Sequence, residues 1–294
     1  MREQPVIRYV RRLSFIFPAM ILLILLTGYP LYDVVTMSLF DYRNPALPVY
    51  AGMSNYKYVL MDPLFWHSLK NTLVYTFGTV VLVMLSGLIF AALLNQKINV
   101  KIRGAFRSVL MFPWLLSSAV VGSVWMLLLS PFGLLNWFLL KVGLINESLA
   151  WLSDERFAMI GLILANTWKS FPFAMLMILA AFQTVPDDII EAAQVDGANR
   201  FRRFVFIVIP QIKDLLFTII TLEIIWHFRS FDLVFLMTGG GPVNATEVLS
   251  TYVYTDAFRS LDFGHASATA IFMLIAMIAI SSLYLRASLT KEGK

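Results

Sequence analysis

Two apolar stretches of the chain each carry a row of polar side chains at helical spacing. The first row is Asn166, Lys169, Ser170 and Phe173, and the second is Glu223, His227 and Ser230. Residues three, four or seven positions apart lie on one face of a helix, so each row predicts a polar stripe. Two stripes flanking a common space would supply hydrogen-bond donors, acceptors and an aromatic ring, which is what a polyhydroxy ligand needs.

The charged members of these rows admit more than one interpretation. Lys169 and Glu223 could line a substrate pathway, or they could pair with each other or with a neighbouring subunit. Lys169, His227 and Arg229 could also bind an anionic substrate, such as a sugar phosphate or a sulfonated sugar. The residues leave these alternatives open.

Catalytic chemistry has little support in the sequence. The three histidines, His67, His227 and His265, lie on different segments and lack the spacing of metal ligands. The chain has no cysteine, which excludes disulfides and thiolate chemistry. A membrane enzyme is therefore the weaker class, and we predict neither a catalytic residue nor a metal site.

The elements that must position the two stripes are membrane-spanning helices. Hydrophobic residues make up 59% of the 294 residues and charged residues only 14%, unlike a soluble domain. A helix needs about 20 mostly apolar residues to cross a bilayer. Six stretches meet that length, near 13–36, 72–95, 105–130, 157–181, 211–235 and 266–286. We predict an all-α membrane protein with about six transmembrane helices in a single domain, 1–294.

The distribution of basic residues predicts the orientation of these helices. More than half of the 23 Lys and Arg residues fall in the N-terminal segment, the second and fourth connections and the C-terminal segment. Cytoplasmic segments carry such an excess, so both termini are predicted to be cytoplasmic. This bias accounts for the net charge of +5 without a nucleic-acid partner.

The connection between the fourth and fifth predicted spans, 182–210, begins with a helix-start signal. Pro186 precedes Asp187 and Asp188, and carboxylates are favoured at the positive end of the helix dipole. A short amphipathic helix can follow and end at Gly197, where a positive φ is permitted.

This predicted helix would offer a docking surface. Ala192 and Ala193 would leave one side nearly bare, so that a partner could approach the backbone closely. A second short helix, up to Pro210, would lead into the fifth span. From shape and charge alone, a basic connector lying on lipid headgroups explains the segment equally well.

The spacing inside this segment resembles the loop signature of permeases from bacterial binding-protein-dependent ABC importers. That signature is Glu-Ala-Ala, three residues, Gly, nine residues and Ile-x-Leu-Pro. The matching positions are Glu191, Ala192, Ala193, Gly197, Ile207 and Pro210, with Ile209 in place of the usual Leu. This exchange conserves side-chain volume.

Flanking segments are similar to the carbohydrate subfamily, of the maltose and glycerol-3-phosphate type. They are Asn166 to Lys169 with Pro172 and Phe173, and Thr238 to Pro242 with Asn244 to Thr246. The resemblance implies the type I ABC importer permease fold, a multi-pass protein of the bacterial inner membrane, and import of a sugar or sugar derivative by alternating access.

The same resemblance assigns roles to residues. The ATPase-coupling helix would contain Glu191, Ala192, Ala193, Asp196 and Gly197. The substrate pathway would contain the two stripes, namely Asn166, Lys169, Ser170, Phe173, Glu223, His227 and Ser230. A bulky residue at Gly197 should then uncouple or disassemble the complex.

The energy source would lie on other polypeptides. The chain has no G-x-x-x-x-G-K-[ST] phosphate loop, so ATP and Mg would bind to partner ATPase subunits and this chain would hold no cofactor. The resemblance implies two ATPase subunits, a second homologous permease and an extracytoplasmic solute-binding protein as partners. A stand-alone ion-coupled secondary transporter is the alternative, but related halves with paired broken helices are not evident in the sequence.

Overall fold

The computed structural model describes residues 17–42, 47–96 and 99–292. The first helices are α1 (Phe17–Met37), α2 (Ser54–Met61), α3 (Pro63–Leu94), α4 (Val100–Leu115), α5 (Ser118–Leu128) and α6 (Leu134–Lys141). They are followed by α7 (Ala158–Phe182), α8 (Asp187–Val195), α9 (Arg200–Gln211), α10 (Lys213–Phe228), α11 (Asp232–Met237), α12 (Leu249–Tyr254) and α13 (Phe263–Glu292). A short antiparallel pair, β1 (Phe40–Asp41) and β2 (Val49–Tyr50), follows α1, with Phe40 opposite Tyr50.

Several of these helices are long and apolar enough to cross a membrane. Within the described residues α1, α3, α7 and the part of α13 up to Arg286 meet that standard, which gives four spans. The number rises to six if each of two bent pairs, α4 with α5 and α9 with α10, forms one span. The helical fold class is confirmed, and the prediction of about six spans is the upper end of this range.

The bounds of the helices in the structure differ from the predicted bounds most at the second, third and fifth spans. The second begins at Pro63 rather than near 72, because its polar first turns lower the local hydropathy. The third was predicted as an unbroken stretch over 105–130, whereas α4 and α5 meet at an angle of 96°. Residues 13–16 of the first predicted span and the basic residues before them lie outside the described residues.

Local chemistry explains the break in the third span. Pro113 has no backbone N–H to continue the helical ladder, and α4 ends two residues later. The Ser117 side chain then accepts a hydrogen bond from Val120 N at 3.3 Å and so caps the start of α5. A helix end and a new helix start are thus encoded side by side inside an apolar stretch.

The predicted fifth span, 211–235, consists of separate helices. α9 and α10 meet at 71° near Ile212, and α10 ends at Phe228 before α11 begins at Asp232. The second short helix predicted up to Pro210 corresponds to α9.

The chain divides into two compact units. The first contains residues Met1–Pro63 and Val253–Leu274. Within it, the buried Asn55 amide donates to the carbonyl oxygens of Ser38 and Phe40, each at 2.8 Å, which ties α2 to the segment after α1. His265 stacks on Tyr58 with ring centroids 4.2 Å apart.

The second unit contains residues Leu64–Tyr252 and Ile275–Lys294 and holds the predicted site residues. Its helices α3 and α7 approach closely at Gly87, where an added Cβ would lie 3.0 Å from the Met175 backbone nitrogen. Small residues at such crossings let two membrane helices pack backbone to backbone. Val83, Ala91, Ala174 and Ile178 bury their side chains around this contact.

Asn136 organises the segment between α6 and α7 in this unit. Its side chain is 1% exposed and makes five hydrogen bonds. The amide nitrogen donates to the carbonyl oxygens of Ser130, Pro131 and Leu149, and the amide oxygen accepts from Leu149 N and Trp151 Nε1.

Replacing Asn136 by alanine should destabilise this segment by about 2–3 kcal/mol, because several buried groups lose their partner at once. The Trp151→Phe variant is a matched control, since it removes one of these hydrogen bonds and keeps an aromatic, though smaller, side chain. Hydrogen exchange of residues 131–156 in the purified chain measures the loss of stability in both variants. Equal protection in the two variants would contradict the organising role of Asn136.

Candidate functional site

A polar cleft of about 470 Å³ lies among α5, α7, α10 and α11 in the second unit. It opens beside the non-helical turn that joins α10 to α11. Its lining residues are Ser118, Asn166, Lys169, Ser170, Trp226, His227, Arg229, Ser230, Phe231, Asp232 and Leu233. The two stripes predicted from the sequence therefore meet at one cavity.

Five of the seven predicted pathway residues line this cleft: Asn166, Lys169, Ser170, His227 and Ser230. The other two, Phe173 and Glu223, do not. Phe173 packs beside the cleft between Trp114 and Trp226, with ring centroids 5.7 and 4.9 Å away. Phe173 thus packs against Trp226, one of the two aromatic residues that line the cleft.

Glu223 supports the cleft from behind. Its side chain is fully buried, and its Oε2 lies 2.9 Å from His227 Nε2. On the other side of the imidazole, His227 Nδ1 lies 2.9 Å from Asn166 Nδ2. The chain Glu223–His227–Asn166 thereby connects α10 to α7, and all three side chains are buried.

This arrangement sets the hydrogen-bonding state of the imidazole. With the Asn166 amide nitrogen as donor, Nδ1 is the acceptor and Nε2–H donates to the Glu223 carboxylate. Among the described residues, Glu223 Oε1 makes no hydrogen bond. Within the part of the chain that the structure describes, His227 is thus the partner of this buried carboxylate and cannot turn without leaving it unpaired.

Lys169 and Glu223 have different partners. Lys169 Nζ donates to Ser118 Oγ and lies within electrostatic reach of Asp232, whereas Glu223 bonds to His227. The structure therefore does not pair Lys169 with Glu223. Lys169 is half-buried, with its ammonium group at the cleft.

Ser230 is held by neighbouring helices. Its hydroxyl lies 3.3 Å from the hydroxyl of Tyr75 on α3, and its carbonyl oxygen accepts from Ser250 Oγ at 2.6 Å. These contacts anchor the turn between α10 and α11 that forms one wall of the cleft.

Sequence reasoning missed several lining residues, including Ser118, Trp226, Phe231, Asp232 and Leu233. Ser118 begins α5, so the Pro113 to Ser117 break signal could have found it. Asp232 interrupts an apolar stretch and carried a signal of its own. Trp226 lies in the same stretch as the second stripe but had no spacing that marked it.

The predicted coupling helix is α8, and its bounds, Asp187–Val195, follow the predicted signals. Pro186 precedes it in an extended conformation, and Asp187 and Asp188 occupy its first turn. Gly197 has a φ of +78°. Ala198 N bonds to Ala193 O at 3.0 Å across this glycine, which closes the helix in the manner of a Schellman motif.

Four of the five predicted coupling residues, Glu191, Ala192, Asp196 and Gly197, are exposed. Ala193 differs, because it is only 8% exposed and its side chain packs inside the chain. The expectation that both alanines leave the surface bare is thus wrong for Ala193. Its position on the inner side of a short helix accounts for its small size instead.

The helix α9 holds α8 in place. Asn199 caps α9 by accepting from Arg202 N at 2.8 Å, and Arg203 donates to the Gln194 side chain at 2.6 Å. α8 and α9 thus form a linked helix-turn-helix that leads into α10.

Comparisons with known proteins place the chain in a family. The family described as "binding-protein-dependent transport system inner membrane component" matches residues 84–288. The sulfoquinovosyl glycerol transport system permease protein SmoG of Agrobacterium fabrum is 33% identical over 278 residues, which cover 94% of this chain and 89% of that protein. The trehalose/maltose transport system permease protein MalF of Thermococcus litoralis is 33% identical over 238 residues, covering 81% and 79%.

The fold has a counterpart among solved structures. It is similar to a chain of the bacterial alginate ABC transporter in complex with an alginate pentasaccharide-bound periplasmic protein. The TM-score is 0.81 at 21% identity, over 95% of this chain and 94% of that one. The resemblance drawn from the loop signature is confirmed: the chain belongs to the family of inner-membrane permease components of binding-protein-dependent transport systems, and it has the fold of an ABC importer permease.

Proposed function

We propose that this chain forms part of the sugar pathway of an ATP-driven importer. The observation that carries this proposal is the polar cleft between membrane helices. There the hydrogen-bonded side chains Asn166, His227 and Glu223 lie close to the exposed Trp226. Hydroxyl-rich ligands need donors and acceptors held in fixed positions, with an aromatic surface for their C–H faces. The sugars named for the relatives SmoG and MalF support the same ligand class.

In this proposal α8 couples the pathway to ATP hydrolysis. A second homologous permease and two ATPase subunits complete the membrane complex, and ATP and Mg bind to the ATPases. A solute-binding protein delivers the sugar on the extracytoplasmic side, while both termini and α8 face the cytoplasm. Closure of the ATPases moves α8, and α9 transmits that movement to α10, which forms one wall of the cleft.

The bent helix pairs favour such a transmission. The 71° bend between α9 and α10 places a hinge between the coupling helix and the cleft. Breaks in membrane helices are tolerated where they line a cavity or are buried in protein. Membership of a binding-protein-dependent family argues against the alternative, a stand-alone ion-coupled transporter.

Asn166→Leu tests the pathway in the assembled importer with its binding protein. The change keeps the approximate volume but removes the amide that bonds to His227, so uptake should fall roughly tenfold or more. ATPase stimulation by the binding protein and co-purification of the partners should persist. His227→Gln should behave in the same way, because it also removes Nδ1.

Thr167→Val provides the matched control on the adjacent residue of α7. The Thr167 hydroxyl is buried and makes no hydrogen bond among the described residues, so an isosteric apolar side chain should leave uptake unchanged. Normal uptake in both Asn166→Leu and His227→Gln would refute the role of the cleft.

A further inference from the structure

Cationic side chains outnumber carboxylates among the residues that line the cleft. Its charged lining residues are Lys169, Arg229 and Asp232. The Glu223 carboxylate behind the cleft is hydrogen-bonded to His227, so Lys169 and Arg229 share one lining carboxylate, Asp232. Charge inside a helical membrane protein is costly, and such residues face a cavity or a partner.

Lys169 has partners for its ammonium group within the chain. It donates to Ser118 Oγ and interacts electrostatically with Asp232. Its ammonium therefore has both a hydrogen-bond acceptor and a counter-charge within the chain.

Arg229 is the other cation that lines the cleft. It lies in the turn between α10 and α11, and its side chain is exposed to the cleft. Among the described residues its guanidinium makes no hydrogen bond or ion pair. Asp232 is the lone carboxylate among the lining residues, and it interacts electrostatically with Lys169.

We propose that the substrate of this cleft is an acidic sugar, one that carries a single oxyanion group, and that Arg229 binds this group. This inference rests on the proposed function, because it names the class of sugar for the same site. A guanidinium presents parallel N–H donors that match the oxygens of a carboxylate or sulfonate. Asn166, Ser170 and Ser230 remain on the other walls to bond sugar hydroxyls.

The order of the lining residues agrees with this assignment. Trp226 and Arg229 are three positions apart across the end of α10, so one ligand can rest on the indole and reach the guanidinium. Asp232 repels an anion and interacts electrostatically with Lys169. An anionic ligand is therefore expected to bind at Arg229 rather than at Lys169.

The test compares glucuronate with glucose, which differ in one carboxylate at similar size. The full-length chain, in the complex in which it purifies, is held in nanodiscs of zwitterionic lipid at constant ionic strength. Binding is measured as the tryptophan fluorescence change that is lost in Trp226→Phe. Glucuronate should bind roughly tenfold or more tightly than glucose, as expected of hydrogen bonds to a charged group.

Two variants test whether Arg229 causes the preference for glucuronate over glucose. Arg229→Gln should bring the two affinities together by weakening glucuronate and leaving glucose unchanged, whereas Asp232→Asn should increase the preference for glucuronate. Equal binding of both sugars in the unmodified chain overturns the acidic-sugar inference but keeps the cleft as a sugar site. A Trp226 signal that responds to neither sugar overturns both.

Discussion

Gly197→Val should cost the complex its ATPase subunits, with a roughly tenfold or greater loss of co-purifying ATPase from mild detergent. The cause lies in the backbone. A left-handed conformation costs an L-residue about 1–2 kcal/mol, and a β-branched side chain suffers most. At a φ of +78°, valine would push the chain out of the turn that closes α8.

Steric bulk does not explain this expected loss. A Cβ added at Gly197 meets nothing within 4 Å, so the site itself has room for a side chain. The sequence-based expectation that a bulky residue disrupts the complex is therefore refined: conformation decides the outcome. Loss of the turn would break the bond from Ala198 N to Ala193 O and move the exposed Glu191 and Ala192 relative to α9.

Gly197→Asn is the matched control, because asparagine tolerates the left-handed region better than other side chains. The asparagine variant should retain most of the ATPase. If the Gly197→Val and Gly197→Asn variants lose the ATPase to the same extent, the cause is a side chain that obstructs the docking surface, not the backbone conformation. If the valine variant keeps its ATPase and transports normally, the end of α8 has no part in coupling.

Glu223→Leu should lower the stability of the chain by about 1–3 kcal/mol, the cost of leaving the buried His227 Nε2–H without an acceptor. The effect reaches the cleft, because the imidazole then loses the partner that fixes its orientation toward Asn166. Thermal unfolding of the purified chain in detergent should start at a lower temperature, and uptake should fall together with it.

Glu223→Gln separates hydrogen bonding from charge in this network. The glutamine oxygen can still accept from Nε2–H, so this variant should retain most of the stability. A leucine variant as stable as the glutamine variant would contradict this role of Glu223. Such a result has precedent, because replacing buried charged groups by apolar ones is at times neutral. The outcome would then show that His227 finds another partner.

The break in the third span illustrates the limit of hydropathy. Mostly apolar residues flank Ser117 on both sides, so a window average does not locate the boundary between α4 and α5. Pro113 and a serine at a helix start are present in the sequence as signals, yet the angle of 96° depends on how α5 packs against α11 and α7. Such packing involves residues far apart in the chain.

The coupling helix illustrates the opposite case. Its start at Asp187 and its end at Gly197 follow from the dipole preference of carboxylates and the freedom of glycine at positive φ. Both are local rules, so short-range sequence is sufficient. The burial of Ala193 is not local, because it depends on which side of α8 meets the rest of the chain.

By itself the sequence determined that this protein is a membrane-embedded helical protein with a short helix after Pro186 and two polar helix faces, because composition, spacing and terminal residues act over one or two turns, and its loop signature indicated the permease family. Only the tertiary structure decided which polar residues meet. It paired Glu223 with His227 and Lys169 with Ser118, and it gave Arg229 in the cleft no hydrogen bond or ion pair within the described part of the chain. Those choices depend on the crossing of α5, α7, α10 and α11, where distances between side chains far apart in the sequence set the free energy of each charge.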